Sequence, residues 1–188
     1  RLDSVSAGMS QLNLVGGSYE VPGVSAQRCI NLYPEFNESI GRGKTCLKPT
    51  PGTVSLTSGL QGALRGMHKW DGQLYVVSHN TLYRISSTYV ATVLGTVEGS
   101  GRVGMAHNLT QLIIVTGTTG YIWDGTTFQQ IVSDGFMGGN LALYLDTYFI
   151  VNQPGTWTFW VSNANNGLVW GALDFASKEA SADDIVAI

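Results

Sequence analysis

Three runs of consecutive apolar residues punctuate the chain: Leu74 to Val77 in GQLYVVSH (72–79), Leu112 to Val115 in TQLIIVTG (110–117), and Tyr148 to Val151 in DTYFIVNQ (146–153). Each follows a polar turn and ends in polar residues. Taking Leu74, Leu112 and Tyr148 as anchors, the spacings are 38 and 36 residues. Gly66-Met67 and Gly104-Met105 each stand eight residues before the first two anchors. A second strand-like segment follows every anchor: TLYRIS from Thr81, GYIWDG from Gly120 and TWTFWVSN from Thr156. Further segments follow at ATVLGTV (91–97) and FQQIVSD (128–134). Between them stand turn-forming pairs, namely Asp71-Gly72, His79-Asn80, Asp124-Gly125, Pro154-Gly155 and Asn166-Gly167,. Each unit therefore reads as a four-stranded antiparallel meander. Repetition at a period of about forty residues is the mark of a β-propeller.

The apolar runs separate this reading from a sandwich. A strand with one buried face alternates apolar and polar residues, and these runs do not alternate. They suit a strand covered on both faces by neighbouring blades, where burying four side chains contributes at most about 6–12 kcal/mol. The fold expected is all-β: a partial propeller over 61–188 behind an extended N-terminal arm over 1–60. Its blades are expected near 62–98, 99–135 and 136–182, with the start of a fourth at 184–188. Propellers typically need four to eight blades to close. The chain is accordingly expected to be part of a longer polypeptide, or to be completed by a partner.

The arm differs in character. Pro22, Pro34, Pro49 and Pro51 favour extended segments between turns,. The chain's basic concentration also lies here, with Arg28, Arg42, Lys44 and Lys48, an assembly contact or a solvated loop. By contrast, no Lys or Arg occurs between Val103 and Ser177, a span holding Asp124, Asp134, Asp146 and Asp174. A surface that grips DNA must neutralise phosphates, and this span has no cation to do so. No apolar stretch reaches the length of a membrane helix. Cys29 and Cys46 are expected as free thiols in a protein made in cytoplasm.

Candidate chemistry is thin. GSGRVG (99–104) satisfies G-x-G-x-x-G, but it joins two blades and leads into a strand, not into the helix a dinucleotide site needs,. GRGKT (41–45) lacks the upstream glycine of a phosphate loop, since Glu38 stands there. His68 and His107 fall on first strands of adjacent blades, which could bring them together. No third ligand stands at the spacing of a closed zinc site. Asp183 and Asp184 are adjacent, so on a strand they would point to opposite faces and make a poor glycosidase pair. Asn37-Glu38-Ser39 and Asn108-Leu109-Thr110 match the glycosylation sequon. Trp123, Trp157, Trp160 and Trp170 could stack on sugars or pack between blades. No catalytic residue, metal site or cofactor is expected.

AQRCINLYPE (26–35), PTPG (49–52), Gly120-Tyr121, LDTYFIVNQPGT (145–156) and LDFASKEASADDIVAI (173–188) resemble the phage stabilisation proteins. These are also called packaged-DNA stabilisation or tail nozzle proteins of short-tailed bacteriophages. The resemblance runs in order over nearly the whole chain. It implies a non-enzymatic virion protein, synthesised in the host cytoplasm, with a β-propeller. It further implies a homo-oligomeric ring, six copies by analogy, next to an adaptor and around a channel through which DNA passes without tight binding. Alternatives from other classes are a tail-tip adhesin or carbohydrate-binding propeller, and a glycosidase-like propeller enzyme.

Overall fold

The computed structural model describes residues 32–36, 45–178 and 183–188. All regular elements among them are strands. Two compact units are present, Arg1–Val54 and Ser55–Ile188. In the first, β1 (Leu32–Phe36) and β2 (Thr45–Pro49) form an antiparallel pair, with Leu32 opposite Pro49 and Phe36 opposite Thr45.

The second unit holds three four-stranded antiparallel sheets, each a meander in chain order. The first comprises β3 (Leu64–Trp70), β4 (Gln73–Ser78), β5 (Thr81–Ile85) and β6 (Ala91–Thr96). The second comprises β7 (Gly104–His107), β8 (Leu112–Val115), β9 (Gly120–Trp123) and β10 (Phe128–Gln130). The third comprises β11 (Ala142–Leu145), β12 (Tyr148–Asn152), β13 (Thr158–Asn163) and β14 (Asn166–Ser177). The turn chemistry explains the tight links. Asp71 and Gly72 have φ of 47° and 69°, the two positive values that a type I′ hairpin needs. One expected turn lies elsewhere. Asn166-Gly167 opens β14, and the chain reverses at Ala164-Asn165 instead, where Asn165 has φ 55°. Gly167 serves packing: a Cβ there would lie 2.5 Å from Ile122 Cδ1 and 3.1 Å from the Phe149 ring.

The double-faced burial read from the apolar runs is clearest in β8, whose four residues are all 0% exposed. Leu112 and Ile114 join Trp70, Tyr75, Val77 and Leu82 of the first sheet. Ile113 and Val115 join Phe149, Val151, Trp160 and Trp170 of the third. The middle sheet is thus covered on both sides. On the far face of the first sheet, Val76, Tyr83 and Ile85 are covered in part by Leu60. On the far face of the third, Leu145, Tyr148 and Val169 remain exposed.

This packing corrects the anchor spacing. Phe149, not Tyr148, turns toward the preceding sheet as Leu112 does, so the second spacing is 37 residues and not 36. Successive strand residues alternate faces, so a one-residue slip would have put the wrong side chains into the seam.

The repeated Gly-Met pair also gains a cause. β7 lies against both β3 and β11, so the first strands of the three sheets converge. A Cβ on Gly66 would come within 2.6 Å of Val103 Cγ2, and one on Gly104 within 2.7 Å of Asn140 O. Each glycine thus sits where the next sheet's entering chain crosses. Gly104→Ala is expected to destabilise the unit by about 1–3 kcal/mol through overpacking. Gly101→Ala, where a Cβ meets nothing within 4 Å, is expected to be neutral. Urea unfolding midpoints of the two variants check this.

Candidate functional site

The seam between the first two sheets gathers the unit's polar chemistry. At one end of β3, Arg65 is buried and spreads its guanidinium over four backbone carbonyls. Nε donates to Gly101 O at 2.7 Å, Nη1 to His79 O and Val97 O, both at 2.9 Å, and Nη2 to Glu98 O at 2.8 Å. Its own carbonyl accepts from Val103 N at 3.1 Å. The Gly-rich stretch 99–103 is therefore a link between sheets, pinned by an arginine, and β7 follows it. That is no setting for a dinucleotide. Burial lowers the Arg65 pKa from its ordinary value, with the Tyr121 phenol acting the other way. An arginine still keeps its proton.

Toward the other end of β3, His68 Nε2 and His107 Nδ1 lie 2.6 Å apart across the seam, with the rings 4.9 Å between centroids and tilted by 60°. The ladders explain why they meet. His68 pairs with Tyr75 and so faces the second sheet, while His107 pairs with Leu112 and faces the first. Trp70 closes the seam beneath them, 6.5 Å from the His107 ring. A contact this short holds one shared proton, donated by either ring according to tautomer. Burial, and then the neighbouring His107, hold the His68 pKa below its ordinary value.

The sign of the pH effect follows. Below about pH 6.5 an unfolded histidine takes up its proton, whereas the folded His68 resists. Stability is therefore unaffected above that pH and falls as the medium is acidified through it. Tyr75, and beyond it Arg84, share His68's face of the sheet. Urea midpoints between pH 8 and pH 5 are expected to fall more steeply for the native chain than for His68→Gln.

A cleft opens beside the pair, lined by Trp70, Asp71, His107, Asn108, Leu109 and Tyr144. Asn108 is a buried turn anchor whose Oδ1 accepts from Thr110 N at 2.8 Å and Gln111 N at 2.6 Å. It is therefore not presented as a glycan acceptor. Asp124 works similarly at the surface, accepting from Thr127 N at 2.6 Å and Thr126 N at 2.8 Å. Those bonds, the one from Thr127 foremost, lower its pKa.

The remaining sequence candidates do not converge. Asp183 lies outside any strand and pairs with Lys178 at 3.4 Å on the surface. Trp123, Trp160 and Trp170 are buried between sheets, whereas Trp157 is exposed. Lys48 sits exposed on β2, while Arg28, Arg42 and Lys44 fall outside the described residues, as do Cys29 and Asn37. Among the described residues no three of His, Cys, Asp and Glu come together. Arg65 was not singled out by sequence reasoning. Its partners are main-chain oxygens, which a sequence does not spell.

With the stacked sheets and the converging first strands in view, one comparison is decisive. A family model described as "Bacteriophage P22 Gp10, beta-propeller" matches residues 10–188. The chain belongs to this phage-stabilisation family. Its three sheets are therefore propeller blades, and the protein is a virion-associated structural protein of a bacteriophage. No curated protein matches the chain. Within the phage-stabilisation fold, the buried arginine and the histidine pair occupy the seam between two blades at the inner strands. Among the described residues no helix is long and apolar enough to cross a membrane.

Proposed function

We propose that this chain is a structural component of a bacteriophage tail, a nozzle or head-to-tail connector. It forms a homo-oligomeric ring around the DNA exit channel, six copies by family resemblance, next to an adaptor, and it helps to retain the packaged genome. It acts by shape and assembly, without catalysis.

The observation that carries this reading is the charge layout of the second and third blades. From Val103 to Ser177 they contain no Lys or Arg but four Asp. Tight DNA binding is driven largely by cations that displace phosphate counterions. A wall without them lets a polyanion slide past, as an exit channel requires. Retention then rests on how tightly the ring closes, and repeated identical interfaces give such closure strength. The blade seams, filled with Leu112, Ile113, Phe149 and Trp170, make each subunit stiff enough to hold a bore. The exposed apolar far face of the third blade, with Leu145, Tyr148 and Val169, suits a further blade of the same propeller.

Electron microscopy of native tails, with this chain located by antibody or tag, tests the reading. A ring on the tail axis around a continuous channel is the expected result. Label on a peripheral spike would overturn it and favour an adhesin.

A further inference from the structure

Two imidazoles in contact across a seam are also a pair of metal ligands. His68 Nε2 and His107 Nδ1 already point at each other from separate blades, 2.6 Å apart. Their backbones are fixed by the ladders at Tyr75 and Leu112. A zinc–nitrogen bond is about 2.0–2.1 Å, so a tetrahedral or square geometry needs the nitrogens about 3 Å apart. An outward ring rotation of well under about 1 Å reaches that spacing. The rings are already tilted by 60°, His68 is half-buried and His107 is exposed, so there is room to move.

We propose that His68 and His107 form a two-imidazole site for a borderline divalent transition metal of the zinc, nickel and copper class. Imidazole nitrogen suits these ions and not magnesium or calcium, which prefer oxygen. No third His, Cys, Asp or Glu converges among the described residues, so water completes the coordination at the exposed mouth of the seam. With the nitrogens about 3 Å apart the bound ion sits about 1.4 Å off the line between them, both rings turning to aim at it instead of at each other, and it staples the first blade to the second. This site is independent of the tail reading, since it concerns how one propeller is held together.

The test uses untagged full-length chain at pH 7.5, with zinc or nickel chloride titrated calorimetrically and thermal unfolding followed in parallel. One saturable equivalent is expected, with a melting temperature raised by a few degrees, reversal by EDTA, and no effect of magnesium. His68→Gln and His107→Gln should each weaken binding by at least about tenfold, the lower limit reported for losing even an outer-shell partner. His79→Gln should leave it unchanged. Circular dichroism confirms that the variants fold, and His107→Gln, at an exposed position, decides alone if His68→Gln does not. No saturable binding overturns the proposal, as does binding that survives either substitution in a folded chain.

Discussion

Arg65→Ala is expected to be the most damaging single substitution in the propeller unit, lowering its unfolding free energy by about 3–5 kcal/mol. The guanidinium serves four carbonyls at once, those of His79, Val97, Glu98 and Gly101. Hydrogen bonds from a charged donor contribute about 1.5–3 kcal/mol each, and an orphaned buried acceptor costs about 1–3. The full sum is not reached, because part of the 97–101 link can turn its oxygens to water once released. Arg65→Lys keeps the charge but replaces a planar fork by one compact ammonium with three donors. It is expected to recover less than half the loss. Guanidinium unfolding followed by tryptophan fluorescence measures both variants. An unchanged slope with a lower midpoint marks loss of stability and not of compactness.

The second large effect tests the register of the third blade. Phe149 is 0% exposed, while its neighbour Tyr148 is 40% exposed. Phe149 packs on Val151, Trp160 and Ile113 in the seam, with the Tyr144 ring 5.1 Å away. Phe149→Ala removes a whole ring from a filled core and is expected to cost about 3–5 kcal/mol. Tyr148→Ala, on the far face, should cost less than about 1 kcal/mol, as open surface positions do. The two variants differ by one residue in sequence and face opposite ways. Comparable losses in the same urea titration would mean that the seam is not where the packing places it.

How far the sequence could be read follows from these particulars. The meander, its turns at Asp71-Gly72 and the two-sided runs were legible because periodicity and turn chemistry are local properties. The meeting of His68 and His107 was foreseeable from their places on aligned first strands. The exact register of the third blade was not. Tyr148 and Phe149 are both aromatic, so only contact with Val151, Trp160 and Ile113 separates them. Asn166-Gly167 misled for a related reason, since glycine marks both turns and close approaches, and here Ile122 and Phe149 crowd it. Arg65 was invisible because carbonyl acceptors belong to no residue type.

Stacked blades with a middle strand buried on both faces underlie the fold, the seam and the ring reading together. An alanine scan of Leu112, Ile113, Ile114 and Val115, read as urea unfolding midpoints, tests that arrangement most directly. The packing predicts a loss of about 2–4 kcal/mol at every one of the four positions. Severe losses alternating with losses below about 1 kcal/mol would mean one wet face, and would contradict it.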